Sequence, residues 1–186
     1  GDKCRIVINP ALANLSKESL EKGTRTRHVR GGFLTQPNYT FVPKLREASI
    51  EGETSDAMLA DLVLAWAIGS TSNSNTTTIT KDGALVGNGV GQQDRVGACE
   101  LAMKRADDSI RSLGRGDRAD LAGAVAYSDS FFPFPDGPQA LIDRGIKAIF
   151  ATTGSVKDPE VIALCKSAGV TFVSLSDATA RGFYMH

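Results

Sequence analysis

Short apolar runs alternate with helix-like stretches in the second half of the chain. The runs cover residues 124–127, 148–151 and 170–173, and each predicts a strand. The stretches between them, residues 138–144 and 158–168, predict helices, because each has a proline where a first helical turn accepts one. This β-α-β-α-β order predicts a parallel sheet with helices on both faces, and therefore an α/β fold.

Two further helices are predicted in the middle of the chain. Residues 56–68 are apolar on nearly every face, which is typical of a buried helix, and Thr54 or Ser55 can cap its start. Residues 96–113 have apolar side chains at three- and four-residue steps, which predicts an amphipathic helix that ends at Gly114.

The remaining strand signals are shorter. Threonine-rich residues 75–80 predict a strand that turns through Asp82-Gly83 into a second strand at 84–87. The apolar run at residues 5–8 predicts another strand, and residues 31–35 predict one that is entered through a turn.

Composition limits the class of protein. A chain of 186 residues can bury one sizeable core, so we expect a single domain, residues 1–186, with an N-terminal arm at residues 1–30. The net charge is zero and no basic run occurs, which argues against a nucleic-acid partner. No apolar stretch reaches the roughly 18 residues of a membrane span, and no signal peptide is visible.

Cysteine and histidine usage points to the cytoplasm and away from metal. The three cysteines, Cys4, Cys99 and Cys165, are isolated from one another, which is typical of a reducing compartment rather than a disulfide framework. With only His28 and His186 and no paired cysteines, we expect no structural zinc site.

Two glycine- or proline-rich segments could carry chemistry. Residues 87–93 alternate three glycines between a hairpin and a helix start, so their amides could approach an anionic ligand, or the glycines could simply permit a tight turn. Residues 128–137 follow a strand and combine three phenylalanines with Asp129 and Asp136. They could form a wall for a flat heteroaromatic ligand, or an aromatic plug on the core.

Two further segments have the same ambiguity. Residues 152–155 lie between a strand and a helix and could be a polar pocket edge or an ordinary loop. Arg181, with Phe183 close by, could hold a phosphate or carboxylate, or could be solvated.

Together these segments resemble one family, the bifunctional purine enzyme that joins a formyltransferase to an inosine monophosphate cyclohydrolase. The similar strings are GNGVGQQDR at 87–95, SDSFFPFPD at 128–136, GSVKD at 154–158 with VIA at 161–163, and Arg181-x-Phe183. Their order and spacing agree from about Gly31 onwards, and the resemblance is to the C-terminal part of the formyltransferase.

The resemblance implies a fold and a reaction. The implied fold is a three-layer α/β/α sandwich of the cytidine deaminase-like type without its zinc site, and this chain would be the second of two such subdomains. The implied reaction is formyl transfer from 10-formyltetrahydrofolate to aminoimidazole carboxamide ribonucleotide (AICAR), with no metal, in purine biosynthesis. We therefore expect AICAR and reduced folate as ligands and a homodimer as the assembly.

The resemblance also implies site residues. Asn75 is similar to the family's catalytic asparagine; Asn73 is the alternative, but the distance along the chain to Gly91-Gln92 favours Asn75. The remaining residues implied by the resemblance are Arg95, Phe131, Asp136 and Ser155 for folate, and Arg181 and Phe183 for the nucleotide.

One part of the family's catalytic machinery is missing. The family uses a Lys-His pair from its first subdomain for proton transfer, and no Lys-His dipeptide occurs in this chain. The terminal histidine is also displaced, because His186 lies three residues after Phe183 instead of two. We therefore expect this chain to supply half of an active site, completed by a subdomain or subunit with the Lys-His pair. The alternative is a non-catalytic folate- or nucleotide-binding module, or a regulatory subunit, of the same family.

Overall fold

The computed structural model describes residues 5–180. By its internal contacts the chain divides into two compact units, Gly1–Val42 and Pro43–His186. The single domain with an arm at residues 1–30 stays a prediction.

The first unit is built around an exposed hairpin. Strands β1 (Thr24–Val29) and β2 (Gly32–Pro37) pair in antiparallel register, and every residue in both is exposed. The strand predicted near residues 31–35 is thereby confirmed as β2, whereas β1 was missed because its sequence is mostly polar. The strand predicted at residues 5–8 is wrong, since Ile6, Val7 and Ile8 are 84–90% exposed and pair with no strand in the described chain.

Among its described residues, the second unit contains a short 3-10 helix, Leu45–Glu47, followed by six strands and five α-helices. In chain order they are β3 (Ser49–Glu51), α1 (Asp56–Gly69), β4 (Thr77–Lys81), β5 (Ala84–Gly89), α2 (Arg95–Ser112), β6 (Val125–Ser128), α3 (Asp136–Asp143), β7 (Ala148–Thr153), α4 (Asp158–Ser167), β8 (Thr171–Ser176) and α5 (Asp177–Ala180). All the helices and strands predicted from residue 56 onwards are present, within two residues at most boundaries. No helix of residues 5–180 has the length and apolar character needed to cross a membrane.

The sheet has the strand order β3-β8-β7-β6-β4-β5 and is mixed. Strands β6, β7 and β8 are parallel, as their helical crossovers require. Strand β4 is antiparallel to both β5 and β6, and β3 is antiparallel to β8. The expectation of a mainly parallel sheet is therefore wrong, because the β4–β5 hairpin and β3 extend the parallel centre in the opposite sense.

Helices cover both faces of this sheet, which confirms the α/β class. On one face, Leu62 and Ala65 of α1 pack against a group of fully buried sheet residues, among them Tyr127 and Phe150. On the other face, α2, α3 and α4 share one core with the sheet. Its buried members include Cys99, Ala102, Leu141, Val161, Ile79, Ile149 and Phe172.

Helix α1 is less buried than its composition predicts. Only Leu62, Ala65 and Gly69 are buried, because the sheet lies against one side of the helix. On the opposite side Ala60, Val63 and Ala67 are exposed within the described chain. The prediction of a fully buried helix is therefore wrong for this chain by itself.

Cys99 and Cys165 are both free thiols in the core. Burial raises the pKa of the Cys99 thiol to about 12 and that of Cys165 to about 11. Both side chains therefore stay protonated and serve as small apolar groups at neutral pH.

Glycines allow β5 to lie directly on α2. A Cβ on Gly87 would meet the backbone carbonyl oxygen of Ala102, and one on Gly89 would meet that of Ala98. Gly91, by contrast, has a φ of +70°, which favours glycine through backbone conformation. The alternating glycines therefore serve the strand–helix contact first and the turn second.

We predict that Gly87→Ala destabilises the second unit by about 1–3 kcal/mol, the typical cost of overpacking. A helix backbone carbonyl cannot move aside as a flexible side chain can, so the strand or the helix must shift. Urea unfolding measured by circular dichroism gives this difference in free energy. Gly32→Ala is the control, because a Cβ there meets nothing within 4 Å, and an equal loss in both variants would contradict the packing argument.

Candidate functional site

Several chain segments meet at one edge of the six-stranded sheet. Strands β5, β6, β7 and β8 run in one direction, so their C-terminal ends lie at the same edge of the sheet. Strand β4 is antiparallel to its neighbours β5 and β6 and therefore begins at this edge. We call this the C-terminal edge. It comprises residues 75–76, 91–95, 128–136, 153–155 and Asp177. Five predicted site residues lie on it: Asn75, Arg95, Phe131, Asp136 and Ser155.

Asn75 is anchored to the loop that follows β5. Its backbone N–H donates to the Gln92 carbonyl and its own carbonyl accepts from the Gln92 N–H. Its side-chain Nδ2 donates to the same Gln92 carbonyl at 2.9 Å. The half-buried carboxamide is therefore fixed in orientation, and the amide group has a second N–H to offer. The peptide between Ser74 and Asn75 is cis.

A buried ion pair lies beside Asn75. Arg95, the first residue of α2, donates from Nη1 to Oδ1 of Asp129, whose side chain is fully buried. The same Oδ1 accepts from the Thr76 N–H at 2.9 Å, and the Asp129 N–H donates to the Thr76 carbonyl. The Arg95 side chain is 10% exposed, so its remaining N–H groups are close to the surface of the edge without being freely solvated.

Asp177 connects the ends of the three parallel strands. Its Oδ1 accepts from the Ser130 hydroxyl at 2.8 Å and from the Thr152 hydroxyl at 2.6 Å. Ser130 lies just after β6, Thr152 lies near the end of β7, and Asp177 follows β8 directly. Asp177 was not predicted as a site residue, although its position immediately after a strand is a signal that could have identified it.

The phenylalanines of the segment after β6 have different environments. Phe132 is buried in the core, so the aromatic-plug interpretation holds for this residue. Phe131 is half-buried, and its ring lies close to Gly154, since a Cβ added to Gly154 would be 3.7 Å from the ring. Phe134 is 58% exposed. Phe131 and Phe134 therefore leave apolar surface available at the C-terminal edge.

Asp136 is exposed at the start of α3, where its Oδ1 accepts from the Gly137 N–H at 2.8 Å. A carboxylate at this end of a helix is stabilised by the helix dipole. Both Asp136 and Arg95 are near enough to act electrostatically on the Cys99 thiol: Arg95 lowers the pKa of that thiol and Asp136 raises it.

Ser155 belongs to a tightly hydrogen-bonded loop. Its hydroxyl accepts from the Lys157 N–H, and its own N–H donates to Oδ2 of Asp158. The Gly154 N–H donates to the same oxygen at 2.7 Å. Asp158 is the first residue of α4, and its carboxylate binds the preceding loop instead of capping the helix.

The predicted nucleotide residues Arg181 and Phe183, with His186, lie outside the described residues. Within residues 5–180, no group of three or more His, Cys, Asp or Glu side chains is arranged to hold a metal ion.

A separate cavity of about 470 Å³ lies at the opposite edge of the sheet. Lys147 and Thr171, which precede β7 and begin β8, are part of its lining. Lys147 already donates to the Gly169 carbonyl at 2.7 Å, and Lys166, Glu51 and Glu53 provide charges of both signs. This cavity contains none of the predicted site residues.

Comparison with known proteins identifies relatives for most of the chain. The model of the AICARFT/IMPCHase bienzyme family matches residues 4–105. The bifunctional purine biosynthesis protein PurH of Cutibacterium acnes is 41% identical over 153 residues, which is 80% of this chain and 28% of that protein. PurH of Cereibacter sphaeroides is 37% identical over 158 residues, which is 84% of this chain and 30% of that protein.

The chain spans less than a third of the length of these relatives. A solved structure, Acinetobacter baumannii RibD, form 2, overlaps 63% of this chain and 35% of its own, with a TM-score of 0.40 and 17% identity, a likeness too weak to argue from. The family match covers more than half of the chain and agrees with the two PurH proteins. The chain belongs to the AICARFT/IMPCHase bienzyme family.

Proposed function

We propose that the C-terminal edge forms half of a folate-dependent formyl-transfer site that acts on AICAR in purine biosynthesis. The observation that carries the proposal is that five residues implied by the family resemblance come from separate segments and lie together at this edge. They are Asn75, Arg95, Phe131, Asp136 and Ser155. Family membership supports the role in purine biosynthesis, and the transfer reaction itself is our inference.

The reaction needs an oxyanion donor and a route for a proton. The AICAR amine attacks the formyl carbon of 10-formyltetrahydrofolate and forms a C–N bond, and the formyl oxygen takes up negative charge. Collapse of this intermediate breaks the bond to N10 of the folate, so the amine loses a proton and N10 gains one. In this proposal the second N–H of the Asn75 carboxamide donates to the developing oxyanion.

The other residues have binding roles in the proposal. Phe131 offers its ring to the flat pterin, Asp136 accepts hydrogen bonds from pterin N–H groups, and Ser155 lines the same pocket. Arg95 donates to a carbonyl or anionic group of the folate. Arg181 and Phe183, outside the described residues, hold the nucleotide. We extend the proposal to a cytidine deaminase-like fold, a cytoplasmic location and a homodimer.

Proton transfer requires a Lys-His pair from another subdomain or subunit. We therefore predict that this chain alone binds 10-formyltetrahydrofolate but transfers the formyl group at a negligible rate. Calorimetry measures the binding, and a spectrophotometric assay with AICAR measures the transfer, each with and without the segment that carries the Lys-His pair. Turnover by the chain alone within a few-fold of the complete protein would show that the base has been misplaced. Binding that persists with no turnover in the complete protein would favour a non-catalytic module.

We predict that Asp136→Ala weakens folate-analogue binding by about one to two decades, because a charge-assisted hydrogen bond contributes about 1.5–3 kcal/mol. Asp136 is exposed, and within residues 5–180 its side chain bonds only to the Gly137 N–H, so the melting temperature should change little. Asp143→Ala, at the other end of the same helix, is the matched control. Equal affinity of the Asp136→Ala variant and the wild type would mean that Asp136 only stabilises the start of α3 and does not bind folate.

We predict that Asn75→Ala, in the complete protein, lowers kcat by about 10²–10³, the usual cost of removing one oxyanion donor. Folate and AICAR binding should be nearly unchanged. Asn73→Ala is the internal control, because Asn73 holds Gly91 and Thr76 through its backbone carbonyl, which the substitution keeps. A large loss of kcat in Asn73→Ala with none in Asn75→Ala would reverse the assignment.

A further inference from the structure

The two carboxylate oxygens of Asp129 differ in their hydrogen bonds. Its side chain is 0% exposed, and Oδ1 alone accepts from both Arg95 and the Thr76 N–H. The other oxygen, Oδ2, is buried and has no hydrogen-bond partner among the described residues. A buried oxygen without a partner costs free energy, so stability alone does not account for this arrangement.

A second ion pair in the same chain shows the contrast. Arg144 donates to both carboxylate oxygens of Asp107, at 2.8 and 3.2 Å, and the Ala119 N–H also donates to Asp107. That pair satisfies the carboxylate fully, as expected where the role is to connect a helix and a loop. The Arg95–Asp129 pair instead engages the guanidinium through Nη1 only.

Because Arg95 contacts Asp129 through Nη1 alone, its other N–H donors remain available to a ligand. Nη1 donates to Asp129 and, at 3.5 Å, towards Ser128, whereas Nε and Nη2 have no partner in the described chain. A nearly buried guanidinium that is fixed at one nitrogen loses little further rotamer freedom when a ligand binds the others. Its orientation is therefore set before any ligand arrives.

The same carboxylate oxygen also fixes Asn75. The N–H that it accepts belongs to the peptide joining Asn75 to Thr76, and the Asp129 N–H donates to the carbonyl of Thr76. One buried group thus sets the position of Arg95 and of the Asn75 backbone relative to each other.

We propose that Asp129 is a positioning residue that aims the free N–H groups of Arg95 at the folate and fixes the Asn75 carboxamide for the formyl group. This inference rests on the proposed function. Asp129 does not touch either substrate in this arrangement, because both of its oxygens are buried.

Two substitutions of Asp129 separate its two contacts. Asn keeps an oxygen that accepts from Thr76 but loses the charge that holds Arg95. In the complete protein, Asp129→Asn should raise the KM for 10-formyltetrahydrofolate about tenfold or more, while kcat stays within about threefold of wild type. Asp129→Ala should raise the same KM and also lower kcat about tenfold or more, because Asn75 is released as well.

Asp107→Asn is the control, because it weakens a half-buried ion pair away from the C-terminal edge. It should lower the melting temperature and leave both kinetic constants unchanged. Equal kinetic changes in Asp107→Asn and Asp129→Asn would mean that general destabilisation is responsible, and would overturn the inference.

A double-mutant cycle with Arg95→Met completes the test and remains available if Asp129→Asn alone does not fold. Replacing both members removes the unpaired buried charge, so the double variant should fold. In the Arg95→Met background, Asp129→Asn should change the folate KM by less than about twofold. A further tenfold rise of the folate KM in that background would show that Asp129 acts independently of Arg95, and would overturn the inference.

The wild-type protein distinguishes failure of this inference from failure of the proposed function. Wild-type protein that neither binds nor uses folate would overturn both. Normal wild-type activity with an unchanged KM in Asp129→Asn would overturn this inference alone.

Discussion

The direction of β4 determines which residues lie together at the C-terminal edge of the sheet. A strand that entered in parallel with β6 would begin at the opposite edge, and Asn75 would be a full strand length, about 16 Å, from Arg95 and Asp129. Because β4 is antiparallel to both neighbours, its first residues meet the segments that leave β5 and β6. The hydrogen bonds of Thr76 with Asp129 and of Asn75 with Gln92 then close that edge. The short connection at Asp82-Gly83 makes β4 antiparallel to β5, since a two-residue turn joins only antiparallel strands.

Much of the second unit could be predicted from the sequence because its signals are local. The step of three and four residues in α2 and the prolines at the starts of α3 and α4 are readable without tertiary structure. Strand order is not local: neither the position of β6 beside β4 nor the antiparallel pairing of β3 with β8 follows from any short segment. The exposed run Ile6–Ile8 marks the same limit, because apolar β-branched residues form a strand only where another strand offers its edge.

The candidate site shows the same division between local and distant information. The segments that follow β5, β6 and β7 were predicted as possible ligand contacts, and in the structure they lie at one edge. Their internal contacts could not be predicted: that Phe132 enters the core while Phe131 stays half-buried depends on which side of the loop faces α2 and α3. Asp158 is a similar case, since its carboxylate could cap either the helix or the loop, and only the fold of residues 154–155 decides between them.

The pairing of β3 with β8 limits how early the sheet can be completed during synthesis of the chain. The Thr171 hydroxyl at the start of β8 donates to the Glu53 carbonyl, 118 residues earlier in the chain. During translation, Ser49–Glu51 therefore leaves the ribosome long before the strand that it pairs with has been synthesised. In chain order the sheet extends from the β4–β5 hairpin at one edge through β6 and β7 to β8, so β3, although early in the chain, is the last strand to gain its neighbour. A nascent chain stalled before residue 171 would contain β3 but not the strand with which it pairs.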